Sequence, residues 1–164
     1  LFSAGNLAFK RDLMNQGEEA ISNVMVALKS GALSAAGASA ANIQAANYSA
    51  TPLATNTRGI PNALLSDTAF AAVGVTSNDI TGATPDVTIR YVIDRLCDGS
   101  AAALALQSTG CVFPASNTDV TGGSSQAMGK RAPLPVSLIY RVSVRVTGPR
   151  NTQVFIQTSF TKPA

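Results

Sequence analysis

The side chains that could carry chemistry are few in this chain of 164 residues. It contains no histidine, and so it lacks the imidazole that His-based triads, HExxH zinc sites and most hydrolases use. No glycine-rich loop is followed by Lys and Ser or Thr, so the sequence has no phosphate-binding loop of that type. The nine acidic residues are dispersed along the chain. We therefore expect a protein that is not an enzyme and that needs no cofactor.

Cys97 and Cys111 are the two cysteines of the chain. They enclose a short segment rich in Gly, Ala and Ser, and a pair at this spacing favours a disulfide formed in an oxidising compartment. The alternative is two unrelated buried thiols. Two cysteines tied to each other supply neither a thiol nucleophile nor a zinc site.

Two short segments, residues 76–86 and 116–123, could bind calcium. Both combine Asn, Asp and turn-forming residues, so Asp79, Asp86 or Asp119 could join backbone oxygens around the ion. Neither segment has the spacing of an EF-hand, and turns capped by Asn or Asp explain the same residues without a metal. We predict no metal site and keep calcium as the weaker alternative.

The composition is typical of secreted and surface-displayed proteins. Charged residues make up 13% of the chain, against an average of about 25%, while Ala, Gly, Ser and Thr are abundant. The net charge of +3 comes from twelve Lys and Arg scattered along the chain, and there is no Trp. No run of basic residues indicates a nucleic-acid groove, so we expect no nucleic-acid partner.

An amphipathic helix over residues 1–29 is the element on which the other elements are expected to pack. At 100° per residue its apolar side chains share one arc, and its polar side chains fill the opposite side. The side chains expected to pack on a sheet are Phe9, Leu13, Ile21, Val24 and Leu28. No capping residue precedes the first turn, and we expect the remainder of a longer, more apolar helix. An ordinary amphipathic helix is the alternative.

The strand patterns lie in the second half of the chain. Residues 87–94 alternate in polarity, and residues 138–147 and 153–161 do so on either side of a turn at 148–151. This pattern predicts an antiparallel hairpin with one buried and one solvent-exposed face. Residues 62–70 are predicted to be a surface segment with a short helical turn.

The predicted fold class is α+β, with the long N-terminal helix packed on an antiparallel sheet of three to five strands and a loop closed by the disulfide. We divide the chain into the helix, residues 1–30, and a globular head, residues 31–164.

Several local sequences, taken in order, resemble the PilX-type minor pilins of type IV pili. They are LAFKRDLMNQGEEAI (7–21), ANYSA (46–50), TRGIPNALLSDTAF (57–70), TIRYVIDRLC (88–97) and YRVSVRVTGPRNTQVFIQTSF (140–160). These stretches run from the helix to the last strand, so the resemblance covers most of the chain. The family's leader-peptidase site and the first apolar half of its helix are not in this sequence, and membrane insertion is therefore an inference.

The resemblance implies a pilin-like fold and a structural role, in which a minor pilin primes pilus assembly and lies at the pilus tip. The implied partners are other minor pilins, the major pilin and a large tip adhesin. The implied location is the periplasmic face of the inner membrane before assembly and the extracellular pilus afterwards. Leu1, Phe2 and Leu7, at the free end of the helix, are expected to contact other subunits or the membrane.

Two alternatives remain open at this stage. One is a pseudopilin of a type II secretion system, which shares the layout of helix and head. The other is a secreted adhesive module, which would need exposed aromatic side chains, and Phe70 and Phe113 are the candidates.

Overall fold

The computed structural model describes residues 2–35, 37–99, 110–113 and 137–163. It begins with one long helix, α1 (Phe2–Ser30), of 29 residues. At 1.5 Å per residue, this helix is about 43 Å long. The predicted N-terminal helix is thus confirmed. The division of the chain into residues 1–30 and 31–164 stays a prediction.

Short elements connect α1 to the main strands. They are two single-turn 3-10 helices (Ala38–Ala40 and Gln44–Ala46), strand β1 (Tyr48–Ser49), helices α2 (Asn62–Leu65) and α3 (Asp67–Ala71), a 3-10 turn (Thr76–Asn78) and strand β2 (Ile80–Thr81). Three longer strands follow: β3 (Thr88–Arg95), β4 (Ser137–Thr147) and β5 (Gln153–Pro163). The predicted turn between the last two strands contains a 3-10 turn, Pro149–Asn151.

The sheet is mixed, which corrects the prediction of an antiparallel sheet. Its order is β1-β3-β4-β5, with β2 also paired to β3. The pairs of β3 with β4, β4 with β5 and β2 with β3 are antiparallel, but β1 runs parallel to β3. A parallel pair needs a long crossover, and the segment between β1 and β3 supplies one. Because β1 has only two residues, it has too little alternation to be recognised in the sequence.

The core on the first face of the sheet lies between α1 and the sheet. Leu13, Ile21, Val24 and Leu28 are buried there, and Phe9 packs against them half-buried. These are the five side chains that the helical period places on the packing arc. Opposite them, the alternate residues of β4 from Leu138 to Val146 are at most 2% exposed.

The second face of the sheet is covered in part, so the prediction of a solvent-exposed face holds only at β5, where Gln153, Gln157 and Ser159 are exposed. Ala63, Leu64 and Phe70, from α2 and α3, form a second buried cluster with Val92 of β3. Residues 62–70, predicted to be a surface segment, therefore build part of the interior. The result is three layers: α1, the sheet, and the short helices α2 and α3.

Candidate interaction site

The start of α1 extends past the end of the sheet. Gly148 follows the last residue of β4, and a Cβ built on it would lie 3.1 Å from the side chains of both Phe9 and Leu13. Residues 5–8, one turn earlier in α1, are exposed. The helix therefore has two parts. One part packs on the sheet and belongs to the core of the head, and the other projects beyond the sheet without contacting it.

Of the predicted contact residues, Leu7 falls on this projecting part. Leu7 is 55% exposed, whereas Leu1 and the side chain of Phe2 lie outside the described part of the chain. Met14, which the sequence analysis did not single out as a contact residue, is 44% exposed. Seven residues are close to two helical turns, so Leu7 and Met14 lie on the same side of α1. Among the described residues, no helix has an apolar stretch long enough to cross a membrane.

The calcium candidates do not form a cluster. Both carboxylate oxygens of Asp79 accept hydrogen bonds from Arg90. Asp86 is exposed, and Asp119 lies outside the described residues. Within the described ranges, no group of three or more acidic or cysteine side chains could hold a metal ion. The absence of a metal site stays a prediction.

Arg90 is the centre of a charged cluster that the sequence analysis missed. Its Nη2 lies 2.7 Å from Oδ2 of Asp79, its Nη1 lies 2.7 Å from Oδ1 of Asp67, and its guanidinium carbon is 4.2 Å from the ring centroid of Phe70. The hydrogen bond to Asp79 raises the pKa of Arg90, which is only 8% exposed. These contacts tie β3 to α3 and to the segment before β2.

The strand register explains why Arg90 needs these acidic partners. Arg90 in β3 stands directly opposite Arg145 in β4, and like charges in such a cross-strand pair destabilise a sheet unless other groups compensate. Asp79 and Asp67 supply that compensation for Arg90. Arg145 donates from Nη1 to the carbonyl oxygen of Leu64 at 2.7 Å, and its burial lowers its pKa. Sequence alone could not show this, because the register depends on the folded sheet.

A second charged pair joins β3 and β4 further along. Asp94 is 1% exposed and accepts two hydrogen bonds from the guanidinium of Arg141, the first at 2.9 Å from Nε. The backbone N–H of Leu53 also donates to Asp94, at 2.8 Å. Both oxygens of this buried carboxylate are therefore paired, as a charge in the interior requires.

The predicted disulfide between Cys97 and Cys111 is confirmed. The two residues form an isolated antiparallel bridge, and the N–H of Val112 donates to the carbonyl oxygen of Leu96 at 2.9 Å. The bond therefore fixes the segment after β3 to residues 110–113. Val112 and Phe113, which follow the bridge, are not part of a strand.

The aromatic candidates for adhesion are not both available at the surface. Phe70 is 1% exposed, under Arg90, and Phe113 is half-buried against the first core. Phe70 was thus wrongly proposed as an exposed anchor. Its apolar neighbours in the sequence, Ala63 and Leu64, are the signal that it belongs to an interior.

A groove lies where the C-terminal half of α1 passes the end of β5. We call it the helix–strand groove, and its volume is about 630 Å³. Its walls are Met25, Leu28, Lys29, Ser34, Phe160, Thr161 and Lys162. Lys162 donates to the carbonyl oxygen of Leu33, and its partial burial lowers its pKa.

In comparisons with known proteins, no family model, no curated sequence and no solved structure matches this chain. A functional assignment must therefore come from the fold, its surfaces and its local sequences.

Proposed function

We propose that this protein is a minor pilin, which primes the assembly of a type IV pilus and lies in the complex at its tip. The observation that carries the proposal is the division of α1 into a part that packs on the sheet and a part that projects beyond it. An α+β head on an N-terminal helix is compatible with a pilin-like fold. The local sequences that resemble PilX-type minor pilins include parts of α1, β1, α2, α3, β3, β4 and β5.

A projecting helix with an exposed apolar side suits a subunit that moves from a membrane into a filament. In a bilayer, lipid surrounds the apolar side, and in a filament core, like helices surround it. Both environments bury the same apolar surface, so the transfer costs little free energy. Leu7 and Met14 are the exposed apolar side chains that such neighbours would cover.

The disulfide supports a head that lies outside the cytoplasm. Cys97 and Cys111 are bonded, and disulfides persist in oxidising compartments such as the periplasm and the cell surface. We therefore assign the protein to the periplasmic face of the inner membrane before assembly and to the pilus afterwards. Its partners on this proposal are other minor pilins, the major pilin and a large tip adhesin.

Deletion of the protein tests this role. Surface piliation and twitching should be abolished or sharply reduced, while pilin subunits still accumulate in the inner membrane, because a filament must start from a nucleus of associated subunits. Expression of the wild-type chain should restore both. Normal piliation and twitching in the deletion strain would exclude the role. Failure of protein secretion across the outer membrane, with normal pili, would favour the pseudopilin alternative.

A matched pair of variants separates assembly from folding. Leu7→Asp, in the full-length protein, should leave the melting temperature of the head nearly unchanged, because Leu7 lies beyond the sheet. It should nevertheless block recovery of the protein with sheared pili, since a charge would have to enter an apolar helix contact. Ser22→Asp places the same charge on an exposed site of α1 beside the head and should assemble normally. Replacing Leu1 and Phe2 by Asp should act as Leu7→Asp does.

A further inference from the structure

The two edges of the sheet are built differently. On one side, β3 is bordered by β1 and β2, which have only two residues each. On the other side, β5 has eleven residues and pairs with β4 from Thr147↔Gln153 to Ser137↔Pro163. In the described part of the chain, no strand pairs with the outer edge of β5. Counting only the residues that the structure describes, the sheet has one short, blunted edge and one long edge with no strand paired to it, which we call the open edge.

From residue 153 to residue 161, β5 itself has none of the strand features that usually prevent strand pairing between proteins. Exposed edges are commonly protected by bulges, charged side chains, proline or a covering element. The pairing of β5 with β4 advances one residue at a time, without a bulge. Its one charged residue and its one proline, Lys162 and Pro163, lie at its end. About half of its backbone N–H and C=O groups point away from β4, as in any antiparallel edge strand.

The side chains next to this edge determine which kind of strand could pair with β5. Val154, Ile156 and Phe160 of β5 pack against the first core but stay partly exposed. Beside Phe160, Met25 and Leu28 of α1 form the apolar wall of the helix–strand groove. An added strand would thus place every second side chain against an apolar surface and the others in solvent.

The charges around the groove are positive. Lys29 is exposed on the last turn of α1, and Lys162 lies on the last residues of β5. Within the described residues, no acidic side chain lines this groove. A carboxylate carried by the added strand would face these two ammonium groups, so the charge of the site favours an acidic partner.

We propose that the outer edge of β5 binds an extended segment of a partner protein by strand addition. The segment alternates apolar and polar residues and carries a carboxylate that reaches Lys29 at the helix–strand groove. The open backbone groups of β5 supply affinity, and the groove selects the apolar side chains. This inference does not rest on the proposed function, because it needs only the edge, the groove and the two lysines. Pairing of β5 with a second copy of the chain is the competing occupant.

The test uses synthetic peptides of eleven residues that alternate Val and Thr, with either two Glu or two Gln at one end. The Glu peptide should bind saturably and slow hydrogen exchange at amides in residues 153–163, since its backbone would cover that edge. A peptide with the same side chains but with alternate backbone nitrogens methylated should not bind, because it cannot donate to β5. The Glu peptide should bind about fivefold more tightly than the Gln peptide.

Two lysine variants test whether Lys29 attracts the carboxylates of the Glu peptide. Lys29→Ala should reduce the advantage of the Glu peptide over the Gln peptide, since only Lys162 remains at the groove. Lys10→Ala, an equal loss of charge on an exposed site of α1, should leave that advantage unchanged. Equal binding of the methylated peptide, protection away from β5, or no binding at about 1 mM peptide would each overturn the proposal. If the chain formed a dimer without peptide and the amides of β5 exchanged slowly in that dimer, the proposal would be overturned, and the occupant of the edge would be a second copy of the chain.

Discussion

Gly17 of α1 lies directly over Ile156 of β5, so close that a side chain at position 17 would require Ile156 and Val146 to move. A Cβ built on Gly17 would lie 2.6 Å from Cδ1 of Ile156 and 2.8 Å from Cγ2 of Val146. The glycine, which interrupts an otherwise regular helical pattern, therefore allows α1 to approach the sheet. Leu13 and Val24, on either side of it along the helix, are buried as a consequence.

We predict that Gly17→Ala destabilises the protein by up to about 2 kcal/mol. The new methyl group overpacks the contact between helix and sheet at a cost of about 1–3 kcal/mol, and the gain of about 1 kcal/mol that Ala brings to a helix interior offsets part of that cost. Adding Ile156→Val, which removes Cδ1, should recover part of the loss. Urea unfolding curves give all three values.

Gly5→Ala is the matched control for Gly17→Ala. Gly5 belongs to the same helix, and nothing lies within 4 Å of a Cβ built there. The substitution should leave stability unchanged or raise it by up to about 1 kcal/mol, since only helix propensity changes. If Gly17→Ala stabilised the protein as Gly5→Ala does, α1 would not approach the sheet as closely as the structure shows.

The sequence predicts those elements whose pattern repeats over many residues. The helical period covers most of α1, and the alternation in β4 and β5 with a Gly-Pro turn between them determines the hairpin. The residues of α1 that face the sheet follow directly from that period. The disulfide follows from two cysteines in a chain of secreted composition.

The second face of the sheet could not be predicted in this way. Helices α2 and α3 have four and five residues, too few for a period to show which side is buried. The charged pairs join residues far apart in the chain, such as Arg141 and Asp94, and depend on strand register. The open edge of β5 likewise becomes visible only once the sheet order is known.

The second prediction concerns which side of α1 packs on the sheet. Val24→Asp should destabilise the head by several kcal/mol or unfold it, because Val24 is 5% exposed and a carboxylate there would be buried without a partner. Glu19→Ala, at an exposed site on the same helix, should change stability by less than about 0.5 kcal/mol. Thermal unfolding distinguishes the two. Similar losses from both would contradict the packing of α1 on the sheet.

The third prediction concerns the bond between Cys97 and Cys111. Protein exported to the periplasm should contain no free thiol at these positions in mass analysis under non-reducing conditions. Reduction should lower the free energy of unfolding by about 3 kcal/mol, because the bond restricts the unfolded chain. The Cys97→Ser/Cys111→Ser variant is the control, and reducing agent should not change its melting temperature. An equal shift in this variant would mean that the agent acts elsewhere.

The fourth prediction concerns the buried carboxylate of Asp94. Asp94→Asn should destabilise the protein by about 3 kcal/mol, because Arg141 and the N–H of Leu53 lose a charged acceptor. Asp86→Asn removes the same charge at an exposed site and should cost less than about 0.5 kcal/mol. In a double-mutant cycle with Arg141→Met, we expect coupling of at least about 1 kcal/mol. Additive losses would show that the two side chains do not interact.

The fifth prediction concerns stability at high pH. The ring of Tyr48 is buried, its hydroxyl donates to the carbonyl oxygen of Ser39 at 2.7 Å, and burial raises its pKa well above the ordinary value. In the unfolded chain, a tyrosine loses its proton near pH 10. Above that pH the unfolded state is ionised while folded Tyr48 is still neutral, so the folded state loses stability as the pH rises. The slope should approach about 1.4 kcal/mol per pH unit for this residue.

Tyr48→Phe tests the assignment of that slope. The variant should lose about 1 kcal/mol at neutral pH, since the carbonyl of Ser39 loses its donor. Its stability should then decline less steeply than that of the wild type between pH 9.5 and 11, about the range where a free tyrosine ionises. Burial also raises the pKa of Tyr91, so the decline should weaken without disappearing. Urea unfolding at several pH values measures both slopes, and parallel curves for the two proteins would mean that Tyr48 ionises as easily in the folded state as in the unfolded one.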